Sequence, residues 1–339
     1  MFGRILSVEV FDSSGESVFL VDPEQETKLM CSGTIEYLPS SSGAPRATIQ
    51  VYNIPATIAA PIFALKKTVQ DESTGETVVV DDPKMIKIAF GYEDENDGEL
   101  STIFVGSIAR AFTTRQDAAT TITKIYAYQV QSFYTSSVSS GLFDAGTSAY
   151  DVIKGLLDSA TVQGLEVEIP EVLKKPVIDT PVSYYGKTID CINSFLSRLE
   201  SIGYAYMVAT TPAGLAFVPA HPSVNELDAV ILAAYDDEGK VVAQSGLIDF
   251  PCIDTEGMRF TTLINPKIVL YSYVWLPNTA IIDKREGFPG EMQSTFGASY
   301  DPAGLYRVVK MTTQFDSHTG ACKTEYLAVM AGTSSAYYK

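Results

Sequence analysis

Two histidines, four cysteines and several runs of acids are the residues with which this chain could do chemistry. His221 precedes Pro222, and His318 sits in the turn-forming run Asp316-Ser317-His318-Thr319-Gly320. A histidine-built zinc site needs further donors at short spacing. Neither histidine has another near it, and His318 and Cys322 fall outside any helical pattern, so both histidines read as solvated turn residues. Cys31, Cys191, Cys252 and Cys322 are far apart and form no C-x-x-C, which implies buried free thiols and no disulfide framework. Gly186-Lys187-Thr188 imitates the end of a phosphate-binding loop. That motif needs a glycine five positions before Gly186, and Pro181 stands there. The helix after Lys187 could still hold an anion at its N-terminus, but a glycine turn before a helix is the plainer reading. Asp94-Glu95-Asn96-Asp97 and Tyr235-Asp236-Asp237-Glu238 lack the donor spacing of an EF-hand and read as solvated hairpin tips. No G-x-S-x-G elbow occurs. Catalytic, cofactor-binding and metal-ligating residues are therefore none, and no cofactor is expected. A glycosidase pair of carboxylates stays open, since spacing alone cannot place two acids at working separation.

The elements around these residues are mostly strands. Of the 339 residues 46% are hydrophobic and 19% charged, enough to bury real cores. Ile5 to Val10, Val18 to Val21, Ala47 to Tyr52, Met85 to Tyr92, Thr102 to Ile108 and Thr120 to Val130 read as strands. Asn53-Ile54-Pro55 stops the third of them, because proline cannot donate to a ladder. Ile86, Ile88 and Phe90 make a half-buried face, and Glu72-Ser73-Thr74-Gly75 is a turn between two short strands. From about Ser140 the period becomes helical. Val152, Ile153, Leu156 and Leu157 form one stripe after a cap at Thr147 or Ser148. Ile189, Ile192, Phe195, Leu196 and Leu199 form another, closed by Gly203. Leu165 to Ile169 is a strand, and Tyr204 to Ala209 with Leu215 to Val218 a hairpin. Strands return at Met258 to Ile264, Ile268 to Leu276, Leu305 to Phe315 and Cys322 to Met330, around a long loop over 278–303. The expected class is mainly β with an α+β insert. Its domains are a first β-barrel over 1–138, an α/β insert over 139–225 and a second β-barrel over 226–339.

Charge excludes one partner class. There are 24 basic and 41 acidic residues, a net −17, whereas phosphate binding needs clustered Lys and Arg. The apolar run at Ile5 is too short for a signal peptide and breaks at Glu9, and no 18-residue apolar stretch exists, so no membrane anchor is expected.

The two β regions echo each other. Thr113-Thr114, Asp117 and Lys124 recur as Thr312-Thr313, Asp316 and Lys323 at a constant offset of 199. The run Gly257 to Pro266, ending in Asn265-Pro266, then Ile268 to Leu276, Gly304 to Lys310 and the turn at Asp316, resembles the hub proteins of bacteriophage tail baseplates, in contractile-tailed phages and their pyocin-like relatives. Ala47 to Ile54, Phe104 to Ile108 and Gly186 to Val218 fit the same family. The resemblance implies two tail-tube-like β-barrels flanking a small α/β region. It further implies a homotrimer forming a pseudo-six-fold ring that joins a six-fold tail tube to a three-fold central spike. Its partners would be the tail tube protein, the central spike protein, the tape measure protein and the baseplate wedge proteins. DNA would pass through the channel without specific binding. The chain would be a virion protein of the tail baseplate, assembled in the host cytoplasm, and not an enzyme. No lysozyme-like domain or spike repeat is present. A trimer would triple the −17, and acids lining a lumen would repel DNA over roughly 8 Å at physiological salt. Two alternatives stay open: another tail tube or distal tail component, and a β-rich carbohydrate-binding or carbohydrate-active protein using some of the 19 tyrosines.

Overall fold

Alternation of period two sets the first group of strands. The computed structural model describes residues 3–12, 17–22, 29–39, 43–63, 66–70, 77–81, 84–93, 99–160, 166–212, 214–220, 229–232, 246–248, 251–253, 255–276, 282–283, 304–318 and 321–333. They pack as two units. One gathers Met1–Glu36, Ala44–Gln131 and Gln314–Cys322; the other gathers Tyr37–Gly43, Ser132–Thr313 and Lys323–Lys339.

The first unit carries β1 (Arg4–Phe11), β2 (Ser17–Val21), β3 (Cys31–Tyr37), β4 (Arg46–Tyr52), α1 (Ala56–Phe63), β5 (Lys66–Gln70), β6 (Thr77–Asp81), β7 (Met85–Tyr92), β8 (Ser101–Arg115) and β9 (Thr121–Tyr128). Its sheet runs β3-β4-β9-β8-β7-β1-β2, with β5–β6 a separate ribbon. In β4 the inward residues Ala47, Ile49 and Val51 face Ala127, Ile125 and Thr123 of β9. These opposed pairs are what lock the register, since a one-residue slip would turn every apolar side chain outward. Asn53 ends β4 with φ 51, a left-handed conformation that asparagine tolerates. Its Oδ1 accepts from the Thr121 amide at 2.8 Å.

The second unit carries α2 (Gln131–Thr135), β10 (Val138–Phe143), α3 (Ala149–Ser159), β11 (Glu166–Glu168), β12 (Val182–Lys187), α4 (Thr188–Ser201), β13 (Tyr206–Thr210), β14 (Gly214–Pro219), β15 (Ala229–Ile231), β16 (Cys252–Ile253), β17 (Met258–Leu263), β18 (Tyr273–Leu276), β19 (Ile282–Asp283), β20 (Gly304–Asp316) and β21 (Lys323–Thr333). One sheet runs β19-β16-β17-β21-β20, with β18 on β20 and β15 on β18; the others are the ribbon β10–β12 and the sheet β11-β14-β13. Ser148 caps α3 by accepting from the Asp151 amide, and Val152, Ile153 and Leu156 are buried. The predicted stripe of α4 is buried throughout, and Gly203 lies beyond its end at φ +91. The chain is thus mainly β with a small α/β part.

Several local expectations change. Residues 31–37 and 56–63, which the sequence reading leaves unassigned, form β3 and α1. The stretch from Ser140 opens as strand β10, not as helix, because it pairs with β12. Over Ile268 to Leu276 only Tyr273–Leu276 is strand. The residues before it are turns: Asn265 Oδ1 takes the Lys267 amide at 3.0 Å, and Tyr271 has φ 68. In β7 the half-buried pattern holds only to Ile88. A bulge against β8 follows, and Ala89 to Tyr92 are buried on both faces. The turns at 13–16 and 72–75, both acidic runs, His221, Gly164, the 334–339 tail and the 278–303 loop apart from β19 lie outside the described residues. No helix among the described residues is long and apolar enough to cross a membrane.

Candidate functional site

Among the described residues, Cys31, Asp316, His318 and Cys322 come together at the tip of one hairpin, while Cys191 and Cys252 lie in other elements. His318 is exposed, with Nδ1 2.9 Å from Ser317 Oγ. Cys31, Cys191 and Cys322 are buried, Cys252 is half-buried, and all four are free. Burial pushes the Cys31 thiol up, and the Asp316 carboxylate adds to the shift, so its thiolate is suppressed. Among the described residues no three His, Cys, Asp or Glu gather as a metal site. Gly186-Lys187-Thr188 is a joint between β12 and α4. Gly186 has φ +146, Lys187 caps the helix without a side-chain bond, and Thr188 Oγ1 is buried 2.8 Å from Ser139 Oγ.

What the fold repeats is a hairpin. In β8–β9, Thr113 and Thr123 stand opposite each other with hydroxyls 2.8 Å apart. Asp117 opens the turn, its Oδ1 accepting from the amides of Ala119 and Thr120 at 2.8 Å each. Those two N–H groups hold its carboxyl below the usual aspartate range. In β20–β21 the hydroxyls of Thr313 and Thr324 are 3.0 Å apart, and Asp316 Oδ1 accepts from the His318 amide at 2.8 Å. A strand enters, aspartate opens a turn, and a threonine-bearing strand leaves, twice.

The flanking strands recur as well. In the first unit β4 lies on β9 and β7 on β8, both antiparallel. In the second, β17 lies on β21 and β18 on β20, again antiparallel. The spatial orders β4-β9-β8-β7 and β17-β21-β20-β18 therefore match, and so do their orders along the chain. The first outer strand of each set, β4 and β17, runs into an asparagine and then a proline, at Asn53-Ile54-Pro55 and at Asn265-Pro266.

Two features distinguish these hairpins. The pairing of β8 with β7 ends at Ser107, so among the described residues the ladder of Arg110 to Arg115 runs to β9 alone and leaves an outer edge. On that arm the Arg110 guanidinium lies 4.9 Å from the Phe112 ring centre, and Phe112 stacks on Tyr126 at 6.0 Å. The tip of the other hairpin, Gln314–Cys322, completes the first unit. There the Ser317 amide donates to the Cys31 carbonyl at 2.8 Å, and Ser317 Oγ accepts from the Cys31 amide at 2.9 Å. Phe315 is buried above Gly33, where a Cβ would stand 2.5 Å from its ring.

Within the second unit Arg307 of β20 ties the end of β14 to the start of β18. Its Nη1 donates to the Ala220 carbonyl at 2.7 Å and its Nη2 to that of Pro219 at 3.1 Å. The guanidinium sits 5.0 Å from the centre of the Tyr271 ring and 5.6 Å from that of Tyr273. Periodicity gave no sign of this node, because Arg307 reads as an outward residue of a strand.

No protein-family model matches the sequence, and no curated protein matches it. Solved structures do match in fold. A tail protein from Neisseria meningitidis MC58 superposes with a TM-score of 0.51 at 8% identity, covering 96% of each chain. The 43 kDa tail protein of prophage MuSo2 from Shewanella oneidensis superposes with a TM-score of 0.51 at 7% identity, covering 96% of this chain and 97% of that one. At such identity the likeness is one of fold, and it extends over nearly the whole length: this chain has the fold of these two tail proteins.

Proposed function

We infer that the chain is a structural subunit of a phage tail baseplate hub. Three copies close a pseudo-six-fold ring between a six-fold tail tube and a three-fold central spike. The observation that carries this is the matching strand order in the two units, β4-β9-β8-β7 and β17-β21-β20-β18. A chain with two related β units supplies six such units from three copies, which is what an adaptor between six-fold and three-fold partners requires. In this reading 1–138 and 226–339 are the tube-like domains and 139–225 is the insert. Both structures of this fold described above are tail proteins, which fits a place in a virion tail. The tube, spike, tape measure and wedge proteins are the expected partners. Some of the −17 charge faces the channel and keeps passing DNA from adhering.

Light scattering on the purified chain, alone and with its spike protein, tests the reading. A trimer whose stained images show six lobes around a ring is expected. A hexamer would move the chain into the tube or distal tail, and a monomer under both conditions removes the hub role.

A further inference from the structure

The ribbon β10–β12 presents an apolar face that nothing in the chain's own chemistry requires. Its register is regular, with Ser140 opposite Tyr185, Leu142 opposite Ser183 and Val138 opposite Lys187. Alternation therefore sorts the ribbon into two faces. Ser139 and Val182 point inward and are buried. Ser139 Oγ donates to the Leu156 carbonyl of α3 at 2.6 Å. The outward face carries Val138, Ser140, Leu142, Ser183, Tyr185 and Lys187. Here Leu142 is 76% exposed, Tyr185 86% and Val138 51%. Leu142 and Val138 are the two diagonal neighbours of Tyr185 across the ribbon, within reach of an aromatic side chain. The three form one patch rather than scattered exposed residues.

We propose that this face docks against a second copy of the chain, forming the apolar centre of the contact between neighbouring subunits. The inference rests on the ring reading above and names a surface for it. Charge selects the occupant. The chain carries −17, so copies repel wherever acids meet acids. The outward ribbon face has no carboxylate and one cation, Lys187, so it meets an acidic copy with attraction instead. In a cyclic ring the contact is head-to-tail, and the ribbon need only fit a different face of the next subunit. Size is consistent. Three large side chains offer roughly 300–400 Å² of apolar surface, a core within the ~800 Å² per partner of a stable interface and not the whole of it.

Three variants of the full chain decide the matter by light scattering over a concentration series: Leu142→Asp with Tyr185→Asp, the milder Leu142→Ser with Tyr185→Ser, and Lys187→Glu. Circular dichroism and melting confirm folding, and the serine pair serves should the aspartate pair misfold. Wild type should be trimeric. Both paired variants should weaken association by roughly thirtyfold or more, as loss of a central aromatic anchor does, and Lys187→Glu should weaken it more at low salt than at high. A wild-type trimer that survives both paired variants overturns this inference, assigns the face to another partner and leaves the ring reading standing. A wild type that never self-associates overturns both.

Discussion

Replacing Phe315 by alanine probes the join that makes the first unit discontinuous in sequence. The ring is buried, 2% exposed, and it lies over Gly33 of β3. A phenylalanine of this burial hides roughly 200 Å², worth at most about 5 kcal/mol at ~25 cal/mol per Å². Measured phenylalanine-to-alanine losses of about 3–5 kcal/mol bracket the same value. A chain of two units need not unfold in one step, so the informative assay is hydrogen exchange followed peptide by peptide. Amides of Cys31–Tyr37 should exchange faster by about two to four powers of ten, since each decade is ~1.4 kcal/mol. Gly33→Ala supplies the second corner of a cycle. Its Cβ would stand 2.5 Å from Phe315 Cζ and 2.7 Å from the Thr48 carbonyl oxygen, an overpacking worth about 1–3 kcal/mol. In the double variant the ring is gone and the carbonyl remains, so the two losses should sum to less than their separate values by ~0.5 kcal/mol or more. Unchanged exchange over Cys31–Tyr37 in Phe315→Ala, or strict additivity in the cycle, would refute the packing of this tip on β3.

Other outcomes follow from the same contacts. Arg307→Leu removes two charge-assisted bonds to carbonyls and two ring contacts. A loss of about 2–4 kcal/mol is expected, with exchange rising over Tyr206–Pro219. Lysine at 307 should recover little, because it cannot span both carbonyls while stacked on the tyrosines; full recovery would count against the node. Asp117 has a folded pKa below its unfolded one, so its contribution is present above the unfolded value and is lost as pH falls through the folded value. Nuclear magnetic resonance should therefore find an Asp117 midpoint under that of ordinary aspartates, with Ala119 and Thr120 amides losing protection as it protonates. An ordinary midpoint would mean that the two N–H bonds do not persist in solution.

Elements whose side chains face one core and one solvent layer were legible from sequence. β1, β4, β9, α3 and α4 fall where alternation or helical spacing places them, because their partners lie where the pattern says. The misses have physical causes. Strand β3 reads Cys-Ser-Gly-Thr-Ile-Glu-Tyr, with Gly33 small because Phe315, 282 positions later, occupies its space. No local window contains that reason. The ribbon β10–β12 failed similarly: Val138-Ser-Ser-Gly-Leu142 is weakly apolar, its partner lies beyond α3, and its outward alternation signals exposure rather than core.

The repeat shows both what letter matching catches and where it slips. An offset of 199 found the correct two hairpins but not their threonine rung. That offset sets Thr113 against Thr312, whereas the hydroxyl pairs are Thr113 with Thr123 and Thr313 with Thr324. Thr312 is only half-buried, on the opposite face from buried Thr313. In a strand a one-residue shift exchanges faces, so coincident letters at 199 cannot be coincident positions throughout. The aspartates account for the difference. Asp117 lies two residues beyond β8, while Asp316 is the last residue of β20. The second hairpin therefore reaches its aspartate one residue sooner after its rung, and spends more residues returning. What the two hairpins hold in common is the order of operations, a rung and then an aspartate-nucleated turn. That order can survive length changes that erase sequence identity between the two hairpins.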